Sequence, residues 1–157
     1  MIGDFVARTA VWIAAIGLWV GLHRPSSGFL PEWTGAASAL GWAIVASGAW
    51  LYTVSALALA RIKRDASGTP TRLLVLGPYR VVRNPLYLGI VIIIVGLTVV
   101  YRSWQPSALA RTALLFVLGH LAVVYLEEPG VRRRFGADYD DYCSRVPRWL
   151  PRPGREV

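Results

Sequence analysis

Two clusters of side chains in this 157-residue chain could do chemistry, and both stand at the ends of long apolar runs. The first is GPYRVVRNPLYL, residues 77–88. Here Gly77, Pro78, Tyr79, Arg83, Asn84, Pro85, Tyr87 and Leu88 gather hydroxyl, guanidinium and amide groups around two prolines. A turn stiffened by proline offers its backbone N–H and C=O groups to a ligand with little ordering cost. The second cluster is the adjacent carboxylate pair Glu127–Glu128. A carboxylate accepts hydrogen bonds from sugar hydroxyls and favours a neighbouring cation, and tyrosine faces attract positive charge. The sequence has none of the strong signatures of soluble catalysis: no Walker loop, GxGxxG, HExxH or CxxC pair. His23, His120 and the single Cys143 lie far apart, which argues against a metal site and excludes an intrachain disulfide. Cys143 reads as a small filler on a helix, and His120 as a packed residue with one hydrogen bond.

The elements that must carry these clusters are apolar. Hydrophobic residues make up 55% of the chain and mean hydropathy is +0.46, high for a soluble domain of one-domain length. The net charge of +8 calls for an anionic partner, and the long uncharged runs favour a membrane surface over nucleic acid. Four apolar segments, 5–22, 35–60, 86–101 and 107–126, approach the roughly 20 residues that span a bilayer. Ala39, Ala43 and Ser47 form a small-residue stripe of the kind that lets helices approach in lipid. Trp33, Tyr52, Tyr101, Trp104 and Tyr125 suit membrane interfaces. Residues 61–85 carry Arg61, Lys63, Arg64, Arg72, Arg80 and Arg83, and residues 127–157 carry Arg132, Arg133, Arg134, Arg145, Arg148, Arg152 and Arg155. The other two loops carry only Arg24 and Arg102. By the positive-inside rule both termini and both basic segments face the cytoplasm. The expected fold is therefore all-α: one multi-pass domain of the cell membrane, with four transmembrane helices.

The third and fourth spans, joined only by RSWQPS, should form an antiparallel hairpin. Their adjacency would bring Glu127 and Glu128 opposite Tyr79, Asn84 and Tyr87. Of the two cytoplasmic segments, the first contains a loop at SGTP and an apolar run, RLLVLG, expected along the interface. The second places Val131, Phe135, Tyr139, Tyr142 and Val146 at helical spacing, which predicts an amphipathic helix weakened at Gly136 and ended by Pro147. RWLPRP reads as a tail. The plainer reading of the acidic pair is solvated charges paired with Arg132 or Arg83.

Taken jointly, GPYRVVRNPLYLG and, after a hydrophobic hairpin, EEPGVRRRFGADYDDYCSRVPRWLP resemble the membrane methyltransferases of the isoprenylcysteine carboxyl methyltransferase and phospholipid methyltransferase group. The matching residues are Gly77, Pro78, Tyr79, Arg80, Arg83, Asn84, Pro85 and Tyr87, then Glu127, Glu128, Phe135, Gly136, Tyr139, Tyr142, Val146 and Pro147. The resemblance implies S-adenosyl-L-methionine as methyl donor and a lipid-like or prenylated acceptor reached from the bilayer. It implies a cofactor site lined by Gly77, Pro78, Tyr79, Asn84, Pro85, Tyr87, Leu88, Glu127 and Glu128, with Asn84, Glu128 and Arg83 as the catalytic set. Asn stands at position 84 where many relatives have His, so this position keeps hydrogen bonding but cannot titrate. Carboxyl O-methylation of a prenylcysteine-like molecule is the leading expectation. A phospholipid or other isoprenoid methyltransferase and a non-enzymatic lipid-binding scaffold are the alternatives.

Overall fold

In the computed structural model, the described residues are 17, 21, 35–63, 65, 66, 68, 70–101 and 106–151. The expected first span, the loop after it, Trp104 and the last six residues lie outside them. The elements are α1 (Ala36–Ala60), a 3-10 turn (Gly77–Arg80), α2 (Pro85–Val100), α3 (Pro106–Ala122), a π turn (Val123–Glu127), α4 (Glu128–Phe135) and α5 (Ala137–Arg145). Every element among the described residues is thus a helix or a helical turn, as expected. Two stretches are long and apolar enough to cross a membrane, Ser38–Ala60 and Leu109–Phe135. Only 11% of the apolar window of each is buried inside the protein, whereas a soluble core helix would be mostly covered. The apolar part of the second stretch ends at Leu126, because Glu127, Glu128 and three arginines follow. At 16 residues α2 is shorter, rising about 24 Å.

The chain forms two compact units. In the first, residues 1–49 and 90–117, α1 and α2 cross at paired glycines. A Cβ on Gly96 would lie 2.7 Å from the Val45 backbone nitrogen and 2.9 Å from the Gly41 carbonyl; one on Gly41 would lie 2.9 Å from the Val100 nitrogen. The close approach therefore requires the missing side chains. This corrects the expected stripe: Ala39, Ala43 and Ser47 are exposed, and Ser38, Gly41 and Gly48 are buried instead. Both series repeat at helical spacing, and the one with two glycines allows the closer contact.

The second unit, residues 50–89 and 118–157, holds both chemical clusters. Its core comprises Tyr139, Tyr142 and Val146, packed by Leu73, Val75, Val131, Phe135 and Cys143. All five residues of the predicted amphipathic stripe are in it, but on two helices. Gly136 adopts φ +50° and ψ −124°, a conformation closed to other residues, so the chain turns between α4 and α5. In the RLLVLG run, Leu73 and Val75 pack against this core while Leu76 stays exposed.

Gly96→Ala is expected to destabilise the protein by about 1–3 kcal/mol through backbone overpacking. Gly130→Ala, where a Cβ meets nothing within 4 Å, should be neutral or stabilising. Thermal melting of the two variants in detergent checks the contrast.

Candidate active site at the helix ends

The site is built from the N-terminus of α2, the C-terminal end of α3 and the chain after α5. Pro85 is fully buried at the first position of α2, where its missing N–H leaves no hydrogen bond unmade. The Asn84 carbonyl accepts the first helical hydrogen bond, from Leu88 N–H at 3.0 Å. Pro129 shapes the other side. Proline cannot donate to the Tyr125 carbonyl four residues back and its ring clashes there. The helix widens just before it into the π turn, closed by the Glu128 N–H on the Val123 carbonyl. Such single-turn bulges often mark functional positions, and this one carries Glu127 and sets the start of α4 at Glu128.

The two carboxylates have different partners. Tyr87 Oη donates to Glu127 Oε1, directly joining the first turn of α2 to the end of the π turn. Arg148 grips Glu128 with two parallel hydrogen bonds, Nε to Oε1 and Nη2 to Oε2, both 2.8 Å. Arg83 Nη1 lies 3.3 Å from Glu128 Oε1, with side-chain exposures of 13% and 16%, so this is a half-buried pair rather than a surface one. Arg83 Nη1 also lies 2.7 Å from Cys143 Sγ. Burial by itself would raise the Glu128 carboxyl. The Arg148 hydrogen bonds and the charges of Arg83, Arg148 and Arg132 outweigh it and hold the group below the usual carboxylate range. Arg132 itself turns away to Asp140 at 2.7 Å, on the exposed surface.

Tyr142 Oη donates to the Tyr79 carbonyl at 2.7 Å, tying α5 to the 3-10 turn. The Tyr79 hydroxyl is pushed above the ordinary tyrosine range by burial and by the charge of Glu127. Tyr139 and Tyr142 are raised as well, chiefly by burial. All three stay protonated at neutral pH.

The structure thus brings Arg83, Asn84, Tyr87, Glu127 and Glu128 together through hydrogen bonds, with Tyr79 close enough to sense Glu127. Leu88 follows Tyr87 on α2 and is half-buried, Pro78 is half-buried in the 3-10 turn, and Gly77 is exposed at its start. Sequence reasoning missed two contributors. The start of RWLPRP is not a tail: Arg148 and Trp149 bond back into this unit, as does Pro147 just before them. The alternation of Pro and Arg in the segment was the available signal. His120 keeps its expected single partner, accepting from Trp149 Nε1–H at 3.0 Å on Nδ1.

Known proteins resemble this chain. The sequence pattern of the phospholipid methyltransferase family matches residues 36–138, well over half of the chain and inclusive of both clusters. The chain belongs to that family. It is 38% identical over 82 residues to the nickel-cobalt-cadmium resistance protein NccN of Alcaligenes xylosoxydans xylosoxydans, covering 52% of this chain and 37% of that one. It is 35% identical over 78 residues to methanethiol S-methyltransferase 2 of Bradyrhizobium diazoefficiens, covering 47% of this chain and 27% of the relative. The chain therefore matches well under half the length of either relative. Membership of the phospholipid methyltransferase family, together with apolar helices long enough to cross a membrane, agrees with the resemblance that the paired motifs carried.

Because the folded-state carboxyl of Glu128 is depressed, its stabilising contribution is full above the ordinary carboxylate pKa of about 4.3 and is lost as pH falls through the lower folded value. Arg148→Ala removes the fork and lets burial raise the carboxyl, so it should lower stability at neutral pH and shrink the loss that wild type shows as pH falls below about 4.3. Melting temperature followed from pH 7 downward measures both effects; superimposable profiles would contradict the pairing.

Proposed function

We propose that the chain transfers a methyl group from S-adenosyl-L-methionine to a lipophilic acceptor at the cytoplasmic face of the membrane. In this reading it has four spans, and both termini and the site lie on the cytoplasmic side. The observation that carries the reading is the convergence of Asn84, Tyr87, Glu127, Glu128 and two guanidinium groups where the apolar helices end. Family membership supports it. The donor set fits such a cofactor: carboxylates for ribose hydroxyls and positive charge, tyrosine faces for adenine and sulfonium, guanidinium groups for a carboxylate. Arg83 Nε is a buried donor with no hydrogen-bond partner, as an anionic ligand group would require.

When bound, S-adenosylmethionine supplies an electrophilic methyl group on a cationic sulfur. The chain's own residues would do the rest. Gly77, Pro78, Tyr79, Pro85, Tyr87 and Leu88 would form a stiff wall that holds the nucleoside. Glu127 and Glu128 would accept its hydroxyls and favour its charge. Asn84 and Arg83 would orient the acceptor and help exclude water, and alignment of this kind contributes up to about 7–11 kcal/mol. No residue of the proposed catalytic set is suited to take a proton near neutral pH: Asn84 cannot titrate, a guanidinium such as that of Arg83 offers no acceptor, and the Glu128 carboxyl is held below the usual carboxylate range. The acceptor is then one whose nucleophile arrives anionic, with the carboxylate of a prenylcysteine-like lipid as the first choice. The similarity to a methanethiol S-methyltransferase supports a second reading, in which the acceptor is a thiolate.

Calorimetric titration of the purified protein with S-adenosylhomocysteine should give a Kd of about 1 μM or tighter. Glu128→Ala should weaken it about tenfold or more; an unchanged value would remove Glu128 from the site. For a thiol acceptor, kcat/KM should rise with the thiolate fraction of the acceptor. A pH optimum independent of the acceptor's own pKa would reveal an enzymic base and contradict the assignment.

A further inference from the structure

From Pro147 to Pro151 the chain has no regular secondary structure, yet it returns to the site elements at every residue from Pro147 to Trp149. Arg83 N–H donates to the Pro147 carbonyl at 2.8 Å. Asn84 Nδ2 reaches the Arg148 carbonyl at 3.5 Å, and the Arg148 side chain forks onto Glu128. Trp149 Nε1–H donates to His120 Nδ1, with ring centroids 6.0 Å apart. These partners come from the start of α2, the first residue of α4 and the last turns of α3. A segment with no hydrogen-bonded repeat of its own is held in place by these side-chain ties.

We propose that Pro147–Trp149 is a strap that closes the site, and that Arg148 is the positioning residue for Glu128. This rests on the reading that the site takes S-adenosylmethionine. A planar guanidinium bonded to both carboxylate oxygens fixes the carboxylate plane, which a single-point ammonium cannot do. With Arg83 also on Oε1, that oxygen has two donors and Oε2 has one, so Oε2 keeps acceptor capacity for a ligand hydroxyl. Asn84, expected as a catalytic residue, has a second role here in holding the strap's backbone. The Trp149–His120 bond secures the far end to the apolar helix that leads into Glu127 and Glu128. Opening of the strap would then govern how fast the cofactor enters and leaves, as lid motions do in many enzymes.

The test uses the full chain in detergent, as wild type, Arg148→Lys and Trp149→Phe. Arg148→Lys keeps the charge but loses the fork, and Trp149→Phe keeps a ring but loses the donor. Two readouts are taken: S-adenosylhomocysteine binding by calorimetry, and hydrogen–deuterium exchange in a peptide covering 144–151. Both variants should bind about tenfold more weakly or worse, and their ligand-free peptides should exchange faster than wild type. In turnover, Arg148→Lys should raise the KM for S-adenosylmethionine more than it lowers kcat, a split that general misfolding would not produce. Wild type that binds, with both variants matching it in affinity and exchange, overturns the strap while the cofactor reading stands. Wild type that does not bind defeats the cofactor reading and the strap with it.

Discussion

A carboxylate held between two guanidinium groups is the interaction on which the second unit depends. Glu128 stands at the first residue after a long apolar helix, with only 16% of its side chain exposed. A half-buried anion there needs compensation, and removing one partner of a buried pair leaves an uncompensated charge that destabilises strongly. Arg83 and Arg148 provide the compensation from positions 45 residues upstream and 20 residues downstream in sequence. The three residues therefore fix together the start of α2, the end of α3 with its π turn, and the chain beyond α5. Pro129 and Gly136 are the backbone conditions for this: one sets the π turn that delivers Glu127 and Glu128, and the other turns α5 so that Tyr142 reaches the Tyr79 carbonyl.

Much of this was legible in the sequence because apolar run length and helical spacing are local properties. The extents of α1, α2 and α3, the Val131–Val146 stripe and the facing of Tyr87 and Glu127 all follow from them. The helix crossing in the first unit was misread because two small-residue series interleave on α1. Only the partner decides between them, and the partner's glycine is Gly96. The break at Gly136 was expected as a weakening, but its sharpness depends on a backbone conformation that pattern alone does not show. The role of Pro147–Trp149 was hidden because its hydrogen bonds run to residues 29 or more positions away, in α3 and just before α2, and 20 away in Glu128. No periodicity records contacts at such separations.

The family assignment and the geometry meet at one point. This chain, a member of the phospholipid methyltransferase family, concentrates its polar groups where its apolar helices end. The relatives' names differ, one for metal resistance and one for methylation of a small thiol.

The central claim, that the nucleoside is held between the α2 start and the Glu127–Glu128 turn, is tested most directly by ultraviolet crosslinking of labelled S-adenosylmethionine followed by peptide mapping. The account predicts label in the peptides covering residues 77–88 and 120–135, competed away by S-adenosylhomocysteine. Competable label confined to α1 or to the first half of α3 would contradict it.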